Sequence, residues 1–299
     1  MESERILESD VLRVVIDPIA GGKVRSFISK KTKIEYFWQD VERQHKMVNY
    51  STHDMSGFDE CFPTITVDKY RSGKLKGKDL ADHGHLWQDP WECKEEDGAV
   101  VLFKDLPEFE CSFERAARLS NSSCLRLDYH VKNYGDEPFT YLYSAHPLLA
   151  TTPDMRLHFP EGMQRAFTYV ASESTKLPEG EWTELTSEQK AIMARPYALD
   201  ESVHIKLFTD KLSEGKVSIS RPGVRESFCI QFDLSHLGVF ISHKVDLSGD
   251  GTFAQRDLLG LEPTSGAGDD YDLCKASGTL KELLPGDDLR FWISLSLEE

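Results

Sequence analysis

The sequence predicts an all-β protein, a large antiparallel β-sandwich with few short helices. Three observations carry this. Apolar and polar residues alternate along many short segments, and Gly, Pro, Asn or Asp bound each segment. No strand–helix–strand rhythm of the kind a parallel nucleotide-binding sheet requires is present.

The segments follow in order. VLRVVID (11–17) and AVVLFK (99–104) are apolar runs of strand length, and EFECSF (108–113) alternates. In LRLDYHVK (125–132), Leu125, Leu127, Tyr129 and Val131 share one face, while Arg126, Asp128, His130 and Lys132 share the other. FTYLYS (139–144), FCIQFD (228–233) and GVFISH (238–243) continue the pattern. LRFWISLSL (289–297) closes it, with Leu289, Phe291, Ile293, Leu295 and Leu297 on one face. Turn signals sit between them at DPIAGG, NYGDEP, RPG and LPGDD. LTSEQKAIMA (185–194) predicts one short helix, with Thr186 and Gln189 spaced as a capping box. The polar stretch 170–190 reads as a surface excursion. No linker or internal repeat divides the chain, so one domain over 1–299 is expected.

With 299 residues the chain can bury a real core without disulfides or metals. Its formal net charge of −16, with no Lys/Arg block, argues against nucleic acid or an anionic membrane as partner. No apolar run approaches the ~20 residues of a membrane helix. The charged start MESERILESD has no secretory h-region, and six scattered cysteines form no CxxC pair. A cytoplasmic protein with free thiols, a monomer or homodimer, is the expectation.

Four places can carry chemistry. In DHGHLWQDPWE (82–92), two histidines, two tryptophans and several carboxylates crowd together. His83 and His85 would share a face on a regular strand and, with His146 and Glu262, make a metal set; Gly84 argues for a bend instead. In YLYSAHPLLA (141–150), His146 shares a face with Leu142 and Ser144, where partial desolvation can move its pKa. In LLGLEPTSGAGDDYD (258–272), Glu262 ends an apolar run before a Gly-rich acidic loop, which suits a general base. That loop lacks both the phosphate-loop lysine and calcium-loop spacing. In GFDECFPTI (57–65), Asp59 and Glu60 are adjacent, so on a strand at most one reaches a given pocket.

These segments, with GGKVRSF (21–27) before them and GTLKELLPGDDLRFWISLSL (278–297) after, occur in an order that resembles the galactose mutarotase-like (aldose 1-epimerase) family. The resemblance spans most of the chain, and the ordered set of HG, HP and EP segments carries it. It implies a supersandwich with a small-molecule carbohydrate bound across one sheet, and no metal or organic cofactor. It implies that His146 is the general acid, Glu262 the general base, and His83 a sugar-binding residue. Trp87 and Trp91 would lie against the sugar ring, Asp59, Glu60 or Asp269 would accept hydrogen bonds from its hydroxyls, and Asp210 is the candidate for a further aspartate.

The family's arginine shortly before the HG segment has no counterpart, and Leu86 and Trp87 stand where sugar-phosphate members would place one. A free aldose is therefore expected, unless Arg25 or Arg71 enters from elsewhere. The rival readings are a non-catalytic carbohydrate-binding protein on the same fold, and a metal-dependent β-barrel enzyme using His83, His85, His146 and Glu262.

Overall fold

Two large antiparallel sheets face each other in the computed structural model, which describes residues 4–39, 50, 53–160, 162–195, 204–246 and 257–299. The ten-stranded sheet runs, in spatial order, through Arg5–Glu8, Leu12–Asp17, Lys23–Ser29, Phe58–Cys61, Ser144–Leu149, Asp257–Thr264, Val239–Asp246, Ile205–Thr209, Arg165–Ala171 and Trp182–Glu184. The eight-stranded sheet runs through Arg156–His158, Lys216–Ser220, Ser227–Phe232, Asp288–Glu298, Cys124–Asn133, Cys111–Asn121, Ala99–Leu106 and Glu92–Glu96. This is the predicted β-sandwich.

Alternation in the sequence becomes the core directly. Leu125, Leu127, Tyr129 and Val131 pair across the ladder with Leu295, Ile293, Phe291 and Leu289, and all eight are buried. Each such side chain contributes roughly 1.5–3 kcal/mol through removal from water. The Tyr129 and Phe291 rings stack with centroids 4.6 Å apart. Phe58, Phe62 and Phe27 fill the facing side of the other sheet.

The short helix forms as predicted over Ser187–Met193, and Thr186 and Gln189 complete the reciprocal capping box. Three segments differ from expectation. EFECSF is not one strand: Pro107–Phe109 make a 3₁₀ turn, Glu110 takes a left-handed conformation, and the strand starts at Cys111. FTYLYS is split: Phe139–Tyr141 joins a small ladder with Lys281–Leu283, and Ser144 begins the next strand. The 170–190 excursion contributes Trp182–Glu184, the outer strand of the ten-stranded sheet. A second helix, Tyr271–Ala276, also follows the acidic loop. The Asp270 side chain caps it by accepting from the Leu273 N–H.

All six cysteines carry free thiols. No helix among the described residues is long and apolar enough to cross a membrane.

Candidate active site

A row of ionisable side chains crosses the middle of the ten-stranded sheet. His146 pairs with Asp59 on the strand to one side. On the other side Ser144 pairs with Thr264 and Leu148 with Gly260, and the same register sets Glu262 opposite His146. Cross-strand partners lie on one face. Asp59, His146 and Glu262 are thus neighbours in space, though 87 positions separate Asp59 from His146. All three are buried, at 4, 5 and 2% exposure.

Asp59 orients the imidazole. Its Oδ1 lies 3.0 Å from His146 Nδ1, so Nδ1 carries the proton and Nε2 is left for a reacting partner. The Tyr50 hydroxyl sits 3.1 Å from the same Nδ1 and about the hydrogen-bond limit, 3.4 Å, from Asp59 Oδ2. Fully buried Lys23 lies 3.6 Å from Asp59 Oδ2. Burial works against the Asp59 charge, but Lys23 and His146 outweigh it and hold the carboxyl well below the usual range. Burial likewise works against a charged His146, yet Glu262 and Asp59 raise its pKa above the ordinary value.

Glu262 is arranged differently. Its Oε2 accepts from the Ser144 hydroxyl at 3.4 Å, while buried Oε1 has no hydrogen-bond partner among the described residues. Burial pushes its pKa up, opposed by the charges of His146 and Lys206. Gly260, two residues earlier on the same face, makes room for this carboxylate: a Cβ there would stand 2.4 Å from Oε1. Lys206, on the strand Ile205–Thr209, places Nζ 2.7 Å from buried Asp269. Asp269 and Glu262 raise the Lys206 pKa against the effect of burial.

The HG segment forms one flank. His83 and Gly84 both have positive φ, 57° and 76°, and the turn lays His83 flat on Tyr50, with ring centroids 3.6 Å apart. A side chain at residue 84 is excluded, because its Cβ would meet the Phe62 carbonyl oxygen at 2.1 Å. The His83 ring also stands edge-on to His146 at 5.0 Å. Burial lowers the His83 pKa, although Asp82, 3.1 Å from Nδ1, works in the other direction. Trp87 packs edge-on against Tyr50 at 5.2 Å and donates Nε1–H to the Asp82 carbonyl.

The other sequence candidates lie elsewhere. Glu60 points through the sheet into the core, where its Oε1 meets Arg115 Nη1 at 2.5 Å and Tyr129 Oη at 3.1 Å. Trp91 belongs to that same core: it packs against Phe113 and lies beneath the Arg115 guanidinium. Asp210 lines a separate groove beyond the end of its strand. His85 leaves His83, because the turn at Gly84 breaks strand alternation. Its Nε2 accepts from the Ala81 N–H at 3.3 Å and its ring packs on Phe109. Among the described residues no group of three or more His, Cys, Asp or Glu is spaced to hold a metal ion. Arg25 pairs with Asp17 and Asp54, and Arg71 with Asp68 and Asp272, so neither reaches the row. Sequence reasoning missed Lys23, Tyr50 and Lys206. Lys206 had one available signal, a lysine within the apolar strand IKLFT.

Solved structures share this architecture. A protein from Synechocystis sp. PCC 6803 superposes with a TM-score of 0.76 at 18% identity, covering 100% of this chain and 96% of its own. A candidate aldose 1-epimerase from Escherichia coli K12 gives 0.71 at 17%, covering 99% of both chains. A galactose mutarotase related enzyme from Lactobacillus acidophilus gives 0.70 at 16%, covering 99% of this chain and 98% of its own. No protein-family model matches the sequence, and no curated protein matches it. The chain therefore has the galactose mutarotase-like β-sandwich fold that its motifs resemble.

Proposed function

We propose that this protein interconverts the α and β anomers of a free hexose or related aldose. Glu262 acts as general base and His146 as general acid. The observation that carries this is the buried Glu262 Oε1 with no hydrogen-bond partner among the described residues, on the face and in the row where His146 offers Nε2. An orphaned buried acceptor costs about 1–3 kcal/mol, more when charged, and a sugar hydroxyl would satisfy it.

The chemistry follows from the protonation states. Glu262 takes the proton of the anomeric hydroxyl while His146 gives one to the ring oxygen. The C1–O5 bond breaks and the open-chain aldehyde forms. Rotation about C1–C2 presents the other carbonyl face. Reclosure then returns both protons, with the roles of acid and base reversed. Asp59, held ionised by Lys23, orients His146. Glu262 and Asp59 together keep it charged, and desolvation raises Glu262 toward a useful base strength. His83 and Trp87 form the sugar-facing flank, and Lys206 with Asp269 borders the other side.

Saturation-transfer NMR on a panel of free aldoses tests this reading. Wild type should accelerate α/β exchange of at least one sugar. His146→Ala and Glu262→Gln should each lower that rate by roughly 10²–10⁴-fold. Sugar binding that survives Glu262→Gln, with no exchange in any variant or in wild type, would establish a carbohydrate-binding protein instead.

A further inference from the structure

The groove that holds Asp210 has no part in the proposed reaction. It is a cavity of about 560 Å³ where the Ile205–Thr209 strand runs out, and it shares no lining residue with Asp59, His146, Glu262 or Lys206. Arg165, Lys211 and Lys281 line it against the single carboxylate of Asp210. In a chain of net charge −16, three cations facing one carboxylate are a local inversion of sign.

Those cations are poorly neutralised. Neither Lys211 nor Lys281 has an ion-pair partner among the described residues, and Arg165 pairs with the exposed Glu184 at 3.5 Å and attracts Asp210 from farther off. Lys281 is partly buried, and burial together with nearby Lys211 lowers its pKa. A partly desolvated ammonium beside a like charge is unfavourable without a counter-ion. The neighbouring carboxylate of Asp233 is occupied, accepting from the Ser235 N–H and hydroxyl. One wall is apolar and flat: Trp182 lines the groove with the Arg165 guanidinium 5.6 Å from its ring centroid. The volume falls within the ~300–1,000 Å³ of small-molecule sites.

We propose that this groove is a second binding site, for a monosaccharide-sized anion whose phosphate, sulfate or carboxylate group sits between Lys211 and Lys281 and whose ring lies on Trp182. The site is independent of the mutarotase reading, because none of its residues belongs to the acid–base row.

Calorimetric titration of the full chain with inorganic phosphate, glucuronate and neutral methyl glucoside, at low and at 0.3 M-scale salt (about three-fold the ~0.1 M at which screening reaches ~10 Å), tests this. Wild type should bind at least one of the two anions, more weakly at high salt. The double variant Lys211→Gln/Lys281→Gln should weaken that binding at least ~10-fold, the loss of about 1.4 kcal/mol, with an unchanged thermal melt. Arg165→Gln should weaken it less, and Glu262→Gln should leave it unaltered. Phosphate binding alone would identify a phosphate-bearing ligand, and glucuronate binding alone a carboxylate-bearing one. The proposal is overturned if neither anion binds, if the lysine double variant binds as wild type does, if methyl glucoside binding falls equally in that variant, or if Glu262→Gln abolishes anion binding.

Discussion

Asp59 and Glu60 are consecutive carboxylates on one short strand, both almost fully buried, yet the sheet separates their chemistry. Asp59 faces Lys23 and His146 and is held ionised well below the usual range. Glu60 faces the inter-sheet core, where burial pushes its pKa up despite Arg115. Asp59 thus shares its charge with an imidazole, whereas Glu60 is tied to a guanidinium and a phenol. Strand alternation makes one a positioning group for the proposed acid His146 and the other a tie between two sheets.

Removing the cation from each side should expose the contrast. The largest effect is expected in the core: Arg115→Met leaves Glu60 buried with no counter-ion and only the Tyr129 hydroxyl, and should cost about 3–5 kcal/mol in a urea unfolding experiment. Adding Glu60→Gln should recover much of that loss. On the other side, Lys23→Met should cost less, about 1–3 kcal/mol in the same assay, because Asp59 keeps His146 and Tyr50 as partners.

The pH profile of anomer exchange sharpens the contrast further. It should be bell-shaped, with an acid limb above the ordinary carboxylate range, set by Glu262, and an alkaline limb above the ordinary histidine value, set by His146. Asp59→Asn should move the alkaline limb down, whereas Glu60→Gln should leave both limbs where they are. A downward shift in Glu60→Gln would mean that the two faces are coupled.

The smallest effect concerns two histidines whose rings lie 5.0 Å apart. His146 is raised, so its stabilisation is complete below the ordinary value of about 6.5 and fades as pH rises through its folded value. His83 is lowered, so stability is undiminished above about 6.5 and declines as pH falls through its folded value. Urea midpoints measured against pH should show His83→Gln flattening the acid side and His146→Gln the alkaline side.

Much of the fold was legible because a strand records its own burial. Leu125 to Val131 and Leu289 to Ile293 alternate in the sequence as they do in the sandwich, whereas from Ile293 to Leu297 Ser294 and Ser296 are buried too. The Thr186/Gln189 box likewise states its helix locally. His146 and Glu262 were legible as candidates, but their meeting was not, because register between strands over a hundred positions apart leaves no local trace. The separation of Asp59 from Glu60 followed from alternation, whereas the choice of side did not. Lys23 and Tyr50 had no signal: a buried lysine is known by its partner, and Asp59 is its partner only in three dimensions. The bend that Gly84 suggested was legible, and it parts His85 from His83: the two positive φ angles at His83 and Gly84 cancel strand periodicity there.

The cross-sheet row also has a consequence for how the chain reaches its working state. Its members come from three strands, and Ser144 lies 118 positions from the Glu262 it supports. Contacts of such long sequence separation form late, because loop closure must precede them. The outer hairpins, such as Arg5–Glu8 with Leu12–Asp17, can zip locally. During refolding, secondary structure should therefore return before anomer exchange does, and the reactive row itself becomes a reporter that the central strands have found their register.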